Sequence, residues 1–253
     1  MRIALKFAYD GNRYHGYARQ PGLRTVEEEL IKALIKYGFI EDTKESFFRA
    51  ASRTDKKVSA FGNVIAFNTN ESKKNLLEKL TNEFEDIVVF GANDVKPDFN
   101  PRHAKYRNYC YYLNIKNLQT DKIISASNAF TGEQNFTNFS RLESFRDPVR
   151  IIDNIVFKKI ENFLLIDFYA QTFLWNQIRR IISALIKIGN GKLEKQDIVE
   201  ALCNPDKIVD FGLAPAEPLI LKDIFYDFNF HYNKKSLIVL EDLKNRIINK
   251  III

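Results

Sequence analysis

The hydrophobic and polar positions of this chain change between two periods, and the changes outline its secondary structure. Over residues 2–10 apolar and polar residues alternate, which predicts a half-buried strand. Thr25-x-x-Glu28 has the form of a capping box, and the apolar spacing after it predicts a helix. Further strands are predicted at 47–51, 64–67 and 87–95, and a second helix at 72–84. The order strand–helix–strand–strand–helix–strand matches the split βαβ plan of ferredoxin-like domains.

A polar stretch with two prolines, around residues 97–108, interrupts this pattern and predicts a domain boundary. We expect an N-terminal α+β domain at 1–104 and a C-terminal α+β domain at 105–253. In the second domain, strands are predicted at 109–115, 150–160, 164–170 and 219–230, and helices at 134–142, 173–188, 194–202 and 236–251. The expected fold class is α+β, with two ferredoxin-like halves whose antiparallel or mixed sheets join around a central basic cleft.

The composition narrows the class of protein. Hydrophobic residues make up 45% and charged residues 28% of 253, as in an ordinary globular protein. No apolar run approaches the roughly 18 residues that span a bilayer, and the N-terminus lacks a secretory pattern, so we expect a cytoplasmic protein without a membrane segment. Two cysteines are too few for a disulfide framework, and the three histidines share no ligand spacing, so no metal is expected. The net charge of +6 suggests a polyanionic partner.

One carboxylate, Asp55, lies among three cations. The surrounding sequence is Ser52-Arg53-Thr54-Asp55-Lys56-Lys57-Val58-Ser59-Ala60. Cations on either side favour the ionised form of a carboxyl group, and a positioned carboxylate can act as a nucleophile or a base. A solvated, charged turn is the other interpretation. For the tetrapeptide Arg53-Thr54-Asp55-Lys56 taken alone, it is the commoner one.

Aromatic side chains are interleaved with cations in two stretches, 12–21 and 102–112. Cations that meet phosphates beside rings that stack on bases are the recurring chemistry of single-stranded or looped RNA recognition. Sheet packing explains a tyrosine-rich strand equally well, because aromatic residues are natural strand residues.

The helix predicted after Phe173 carries two neighbouring arginines on different faces. At about 100° per residue, Arg179 falls at the edge of a broad apolar stripe and Arg180 falls opposite it. Arg180 is therefore expected to face solvent or touch phosphate, while Arg179 can turn inward toward a carboxylate. On periodicity alone, a structural ion pair with some other acid is the more common outcome for Arg179.

Six segments, in this order, resemble motifs of the TruA family of tRNA pseudouridine synthases, over nearly the whole chain. They are Tyr9-Asp10-Gly11-Asn12-Arg13-Tyr14-His15-Gly16-Tyr17, the Ser52–Ala60 stretch quoted above, Ala104-Lys105-Tyr106-Arg107-Asn108-Tyr109-Cys110-Tyr111, Phe136-Thr137-Asn138-Phe139, Phe173-Leu174-Trp175-Asn176-Gln177-Ile178-Arg179 and Ala214-Pro215-Ala216-Glu217-Pro218-Leu219. Any one match is weak, whereas six in order, including Arg53-Thr54-Asp55, are specific.

The resemblance implies an isomerase that converts uridine to pseudouridine at positions 38 to 40 of the tRNA anticodon stem-loop. It implies Asp55 as the catalytic carboxylate, Tyr109 as the ring that stacks on the flipped uracil, and Arg179 as the partner of Asp55. Contacts to RNA are expected from Arg53, Lys56, Lys57, Tyr14, Arg19, Arg107 and Arg180. The resemblance also implies a homodimer that binds tRNA and needs no metal or organic cofactor.

Several points stay open at this level. Asp55 can attack the sugar C1′, add to uracil C6 or remove a sugar proton. Lys57 replaces a glycine that is usual in the family, which leaves the loop after Asp55 open; Pro218 also replaces a glycine, and Trp175 and Asn176 stand where histidine is common. A non-catalytic RNA-binding protein or chaperone on the same fold is the alternative function. A metal-dependent nuclease or phosphatase is disfavoured, because no paired-carboxylate motif accompanies Asp55.

Overall fold

The computed structural model describes residues 1–143 and 145–252 of the chain. The chain forms two compact units, which we call unit 1 (Met1–Lys105 with Ile220–Ile253) and unit 2 (Tyr106–Leu219). The C-terminal segment thus packs with the N-terminal half of the chain. The predicted division into domains at 1–104 and 105–253 stays a prediction.

Strands and helices are numbered along the chain. The strands are β1 (Arg2–Tyr9), β2 (Arg49–Ala50), β3 (Ser59–Asn68), β4 (Ile87–Val95), β5 (Tyr106–Asn114), β6 (Gly132–Asn135), β7 (Val149–Ile152), β8 (Asn154–Ile160), β9 (Phe163–Ala170), β10 (Leu219–Phe225) and β11 (His231–Tyr232). The helices are α1 (Val26–Lys36), α2 (Lys73–Leu80), α3 (Thr120–Ser127), α4 (Gln177–Gly189), α5 (Lys195–Cys203) and α6 (Lys234–Ile252). Within the described ranges, no helix is both long and apolar enough to cross a bilayer.

Unit 1 has the split βαβ arrangement that the sequence predicts. Its strands pair in the order β4–β1–β3–β2, all antiparallel, with α1 between β1 and β2 and α2 between β3 and β4. The first two residues of β3 also pair with β10, in parallel, and β11 pairs with β4. The sheet is therefore mixed, and the predicted α+β class is confirmed.

The first strand is more buried than its alternating sequence predicts. All eight residues of β1 are buried, including Lys6 on the polar face. The Lys6 ammonium lies 2.5 Å from Asp223 Oδ1 and 5.3 Å from the centre of the Phe230 ring. β10 and the segment that follows it therefore contact the polar face of this strand, and the prediction of a half-buried strand is wrong.

Apart from the separate β6–β7 pair between α3 and β8, unit 2 repeats the order strand–helix–strand–strand–helix in β5, α3, β8, β9 and α4. β9 pairs antiparallel with β5 along its whole length and with β8 on its other side. Tyr109 lies opposite Phe168 in this register. The strands predicted in the second half lie within one to three residues of those observed, except that 150–160 divides into β7 and β8, and 219–230 ends at Phe225.

The helix predicted at 134–142 is wrong. Gly132–Asn135 is strand β6, which pairs with β7, and Thr137–Phe139 is a single 3₁₀ turn. The side-chain oxygen of Asn135 accepts hydrogen bonds from the N–H and the hydroxyl of Thr137 (3.0 and 2.7 Å). Such short side-chain-to-backbone bonds compete with helix formation. Helix α3, by contrast, was not predicted.

Candidate active site

Asp55 opens a tight turn in the segment between β2 and β3. The N–H of Val58 donates to the Asp55 carbonyl at 3.1 Å, so Lys56 and Lys57 form the centre of the turn. The Asp55 side chain is partly exposed, and the two lysines are exposed. Asp55 is thus held at the start of a closed turn, with cationic side chains on the solvent side.

Lys57 has the backbone conformation that glycine adopts most readily. Its φ is +72°, in the left-handed region. A positive φ at the third position alone is the pattern of a type II turn. For a residue with a Cβ, the left-handed conformation costs roughly 1–2 kcal/mol. This chain therefore keeps the glycine-type turn after Asp55 with a lysine in it, which answers the question that the sequence left open.

Thr54 fixes the turn from its N-terminal side. Its hydroxyl makes a buried hydrogen bond of 2.7 Å with the Tyr9 hydroxyl at the end of β1. Its carbonyl accepts from the N–H of Tyr17 at 3.1 Å. The residue before Asp55 is therefore bound both to the central strand and to the loop of residues 12–21.

Gly11 fixes the turn from its C-terminal side by close approach. A Cβ at Gly11 would lie 2.2 Å from the Val58 carbonyl oxygen, a distance that no side chain tolerates. The N–H of Gly11 also donates to the Ser59 hydroxyl at 3.0 Å. The backbone of the loop that follows β1 thus rests directly on the end of the Asp55 turn.

Asp10 links that same loop to the C-terminal helix. Burial disfavours its charge, but hydrogen bonds from Lys250 Nζ (2.8 Å) and from the N–H of Asn12 (3.1 Å) outweigh burial and lower the pKa of the Asp10 carboxyl below its usual value. Lys250 lies near the end of α6. The C-terminal helix therefore stabilises the loop that supports Asp55.

Gly16 and Tyr17 join the two loops to helix α1. Gly16 has φ +98°, and a Cβ there would lie 3.3 Å from the Lys56 nitrogen. The carbonyls of Gly16 and Tyr17 accept from the N–H groups of Val26 and Glu27, at 3.3 and 2.9 Å. Thr25 does precede the helix, but its side chain makes no capping bond, so the predicted capping box is wrong. Loop carbonyls satisfy these first N–H groups of the helix instead.

Six cationic side chains are exposed on these two loops and the approach to α1. They are Arg13, Arg19, Arg24, Arg53, Lys56 and Lys57. Arg13 and Arg24 lie 3.8 and 3.6 Å from the buried carboxylate of Asp86. The surface around Asp55 is therefore rich in positive charge, which suits a phosphate backbone.

Tyr14 does not offer its ring to solvent. Its side chain is buried, and the Arg24 guanidinium lies 4.6 Å from the ring centre and hydrogen-bonds the hydroxyl at 3.4 Å. Burial also raises the pKa of the Tyr14 hydroxyl. The ring is therefore packed within unit 1, and the contact of Tyr14 with RNA stays a prediction.

Tyr109 and Arg107 lie on β5 in unit 2. Tyr109 is 9% exposed, and its ring meets the Phe173 ring edge-on, with centroids 5.3 Å apart. Arg107 is buried, and its guanidinium donates to the Gln171 carbonyl. The Arg107 side chain is therefore enclosed by unit 2 and does not lie on an open surface.

Arg179 and Arg180 are both held by the segment 210–214, at the N-terminal end of α4. The Nε of Arg179 donates to the Ala214 carbonyl at 2.8 Å, and the Arg180 guanidinium binds Asp210 Oδ1 at 2.9 Å. The N–H of Gly212 and the charge of Arg180 lower the pKa of the Asp210 carboxyl. Arg180 is 25% exposed and ion-paired, so the expected solvent-facing position is only partly realised.

The predicted residues thus form two groups. Asp55, Arg53, Lys56, Lys57, Tyr14 and Arg19 lie on adjoining loops of unit 1, whereas Tyr109, Arg107, Arg179 and Arg180 lie in unit 2. The pairing of Asp55 with Arg179 stays a prediction. Within the described part of the chain, no group of three or more His, Cys, Asp or Glu side chains is arranged to hold a metal ion.

The residues that hold the Asp55 turn were not among those predicted from the sequence. Gly11 lies in the Tyr9–Tyr17 motif, and a required close approach is a common reason for such a glycine. Lys250 carried no such signal, because it lies 240 positions from Asp10 and nothing in its own helix distinguishes it.

The two sequence comparisons with known proteins agree with each other. The family model described as "tRNA pseudouridine synthase" matches residues 126–227. A "tRNA pseudouridine synthase A" of Thermococcus sibiricus is 45% identical over 230 residues, which is 90% of this chain and 85% of that protein. Another, of Pyrococcus abyssi, is 42% identical over 240 residues, or 94% of this chain and 89% of that protein. Among solved structures, a Cbf5-Nop10-Gar1 complex matches 73% of this chain and 45% of its own at 13% identity, with a TM-score of 0.37, too low to support an inference.

Proposed function

Because this chain belongs to the tRNA pseudouridine synthase A family, we propose that it uses Asp55 to isomerise uridine at positions 38, 39 and 40 of the anticodon stem-loop. The chain is an isomerase that converts uridine of tRNA to pseudouridine. The assignment of Asp55 rests on the turn that holds it. Main-chain and buried side-chain contacts fix this turn on both sides, and the surface around it is cationic.

The reaction needs no co-reactant. The bond between uracil N1 and the sugar C1′ breaks, a bond between C5 and C1′ forms, and the proton of C5 is replaced by one on N1. A single carboxylate can initiate this exchange by attack at C1′, by addition to C6 or by removal of a sugar proton. All three routes require that the carboxylate be held in one place, and the contacts of Thr54 and Gly11 provide this.

The flipped base needs a surface that receives it. Unstacking a base costs a few kcal/mol, which a stacking side chain offsets. We assign this part to Tyr109, because the edge-on contact with Phe173 fixes the plane of its ring. Tyr106, Tyr111 and Tyr112 occupy the same strand, and the buried Tyr111 is already bound to the Pro215 carbonyl at 3.2 Å.

Arg179 is the proposed partner of Asp55. Its Nε bond to the Ala214 carbonyl fixes the plane of the guanidinium. A guanidinium held in one plane can bind a carboxylate through two parallel N–H groups. A guanidinium in that position would favour the ionised form of the carboxylate and select one rotamer.

Two kinds of cation serve the RNA in this proposal. Arg19, Arg53, Lys56 and Lys57 are exposed beside Asp55, which supports contacts to phosphates. Arg107 and Arg180 are bound to protein groups, which supports a positioning part for both. We also propose that the protein is a cytoplasmic homodimer and that it works without metal or organic cofactor.

The test is pseudouridine mapping in unmodified tRNA transcripts that have been treated with the purified protein. Wild-type protein should modify positions 38 to 40, whereas Asp55→Asn should form no detectable pseudouridine and bind the transcript within about threefold of wild type. Asp242→Ala, on the exposed side of α6, is the matched control and should keep full activity. Activity that survives Asp55→Asn would refute the assignment of Asp55, and activity lost in chelator would refute a metal-free reaction.

The non-catalytic alternative is not favoured. Binding of RNA does not require a fixed carboxylate inside a cationic surface, and the family to which the chain belongs consists of enzymes. Wild-type protein that binds the transcripts tightly but leaves every uridine unchanged would restore this alternative.

A further inference from the structure

Trp175 is the only tryptophan of the chain, and it is exposed on the surface of unit 2. Its side chain is 44% exposed, although the neighbouring Leu174 and Ile178 are buried. It directly precedes Asn176, whose φ of +62° turns the chain into helix α4. Tryptophan is enriched at binding interfaces, because its large ring is apolar and its N–H is polar.

Arg141 holds this tryptophan in two ways. Its guanidinium lies 4.1 Å from the centre of the indole ring, and its N–H donates to the Trp175 carbonyl at 2.8 Å. The backbone bond fixes the distance between the two segments, and the stacked guanidinium fixes the plane of the ring. Arg141 is itself exposed. We call this pair the Trp175–Arg141 platform.

We propose that the Trp175–Arg141 platform binds an unpaired nucleotide of the RNA substrate. An unpaired base can stack on the indole or on the guanidinium plane, because proteins use both surfaces to bind splayed bases. The charge and the N–H donors of Arg141 can meet the adjoining phosphate. This inference rests on the proposed function, which supplies the RNA, and it adds a binding site to that function.

The position of the platform supports a nucleotide rather than a remote surface contact. Trp175 lies four residues before Arg179, directly before the N-cap residue of the helix that carries Arg179. A nucleotide on the platform would be bound next to the segment that carries the proposed partner of Asp55. The preceding residue Leu174 is anchored, because its N–H donates to the Gln177 side chain at 2.8 Å.

The sole tryptophan reports directly on this site. An anticodon stem-loop RNA should quench the intrinsic tryptophan fluorescence of the wild-type protein and protect it from acrylamide. A blunt RNA duplex of the same length has no unpaired base and should leave the signal nearly unchanged. Equal quenching by both RNAs, or quenching by neither at saturation, would overturn the proposal.

Substitutions then separate stacking from charge. Binding is measured with a labelled stem-loop RNA. Trp175→Ala should weaken it by about 5- to 100-fold with an unchanged salt dependence, and Trp175→Phe by no more than about threefold. Arg141→Gln should weaken binding and reduce the slope of log affinity against log salt by about one.

Arg146→Gln is the matched control, because Arg146 is an exposed arginine of the neighbouring segment that pairs with Glu143 at 3.1 Å and not with the indole. It should change affinity less than twofold. An effect equal to that of Arg141→Gln would reduce the platform to general charge and overturn it. Thermal unfolding midpoints of the variants exclude misfolding, and the fluorescence of the wild-type protein needs no variant.

The two proposals fail separately. Pseudouridine formation by a protein whose tryptophan does not respond to stem-loop RNA would overturn the platform and leave the proposed function intact. Selective quenching by stem-loop RNA without any pseudouridine formation would overturn the proposed function and leave the platform as an RNA-binding site.

Discussion

The two units hold their proposed catalytic residues in different ways. In unit 1, Asp55 lies on an irregular turn whose shape depends on close contacts of main-chain groups, with Gly11 against Val58 and with Tyr17 bound to Thr54. In unit 2, Tyr109 and Arg179 project from strand β5 and helix α4, whose own hydrogen bonds hold the backbone. Substitutions in unit 1 should therefore act by displacing backbone, and those in unit 2 through the side chain alone.

The largest effect is expected for Gly11→Ala. The new methyl group would lie 2.2 Å from the Val58 carbonyl, so the loop after β1 or the Asp55 turn must shift. Activity should fall by about 100-fold or more, since displacement of a catalytic group by an ångström has that effect, and unfolding free energy should fall by about 1–3 kcal/mol. Single-turnover kinetics and denaturant unfolding measure the two effects.

Gly22→Ala is the control for this comparison. Gly22 also lies on a loop of unit 1 and has φ +72°, but a Cβ there meets nothing within 4 Å. It should lose about 1 kcal/mol of stability through backbone strain and keep its activity within about threefold. Equal activities of the two variants would contradict the idea that close approach fixes Asp55.

The second prediction concerns Arg179→Lys. Lysine keeps the charge but cannot reproduce a guanidinium that binds Ala214 through Nε and presents its remaining N–H groups in the same plane. The rate of the chemical step should fall by about 10- to 100-fold with tRNA affinity unchanged. Arg180→Lys, at the exposed pair with Asp210, should change the rate less than threefold. A matching loss in both variants would assign the effect to helix α4 rather than to Arg179.

Some features of the two units could be predicted from the sequence alone, and others could not. The alternating and helical periods located the four strands of the N-terminal half, β1 to β4, and the helix with Arg179, because backbone geometry imposes those periods on side chains that are buried. The motif around Asp55 could also be found from the sequence, because hydroxyl, carboxylate and cationic side chains cluster there. The same polar residue types favour a turn. The left-handed φ of Lys57 could not be predicted, because a lysine carries no preference for that conformation.

Long-range contacts explain two further features that the local sequence does not indicate. Tyr14 lies in a polar loop sequence, yet its ring is buried, and Arg24, which pairs with Asp86 72 positions later in the chain, lies over its face. Thr25 is of a residue type that commonly caps helices, but its side chain makes no capping bond. Loop carbonyls accept hydrogen bonds from the first N–H groups of the helix instead. In both cases residues distant in sequence override a correct local preference.

The third prediction separates the ring of Tyr109 from its hydroxyl. Tyr109→Phe keeps the edge-on contact with Phe173 and should bind stem-loop RNA within about threefold of wild type. Tyr109→Leu fills similar volume without an aromatic face, and should lose about tenfold in affinity or rate, because base stacking contributes roughly 1–3 kcal/mol. Binding and single-turnover assays distinguish the two, and equal losses in both variants would shift the weight from stacking to the hydroxyl.

The fourth prediction tests how unit 1 holds its loop through Asp10. The pKa of this carboxyl is lower in the folded protein than in the unfolded chain, so its pairing with Lys250 stabilises fully above the ordinary pKa of about 4 and is lost as pH falls through the lower, folded value. Lys250→Met should lower unfolding free energy by about 1–2 kcal/mol near pH 6. The difference from wild type should shrink as the pH falls below about 4.

Lys244→Met is the control on the same helix, because Lys244 pairs with the largely exposed Glu241 at 2.7 Å. It should change stability by less than about 0.5 kcal/mol at either pH. A Lys250→Met effect that is as large at pH 3 as at pH 6 would exclude the carboxylate of Asp10 as its cause.

The smallest and sharpest prediction concerns Lys57. Lys57→Gly and Lys57→Ala remove the same charge, but only glycine adopts φ +72° without strain. The glycine variant should therefore be more stable than the alanine variant by about 1 kcal/mol. Lys56, whose φ is not positive, supplies the inverse pair, since Lys56→Gly should be less stable than Lys56→Ala by about 0.5–1 kcal/mol. Denaturant unfolding of the four variants measures both differences. The same order at both positions would mean that the turn after Asp55 adapts to its sequence, and the contrast between a backbone-fixed unit 1 and a side-chain-based unit 2 would then lose its foundation.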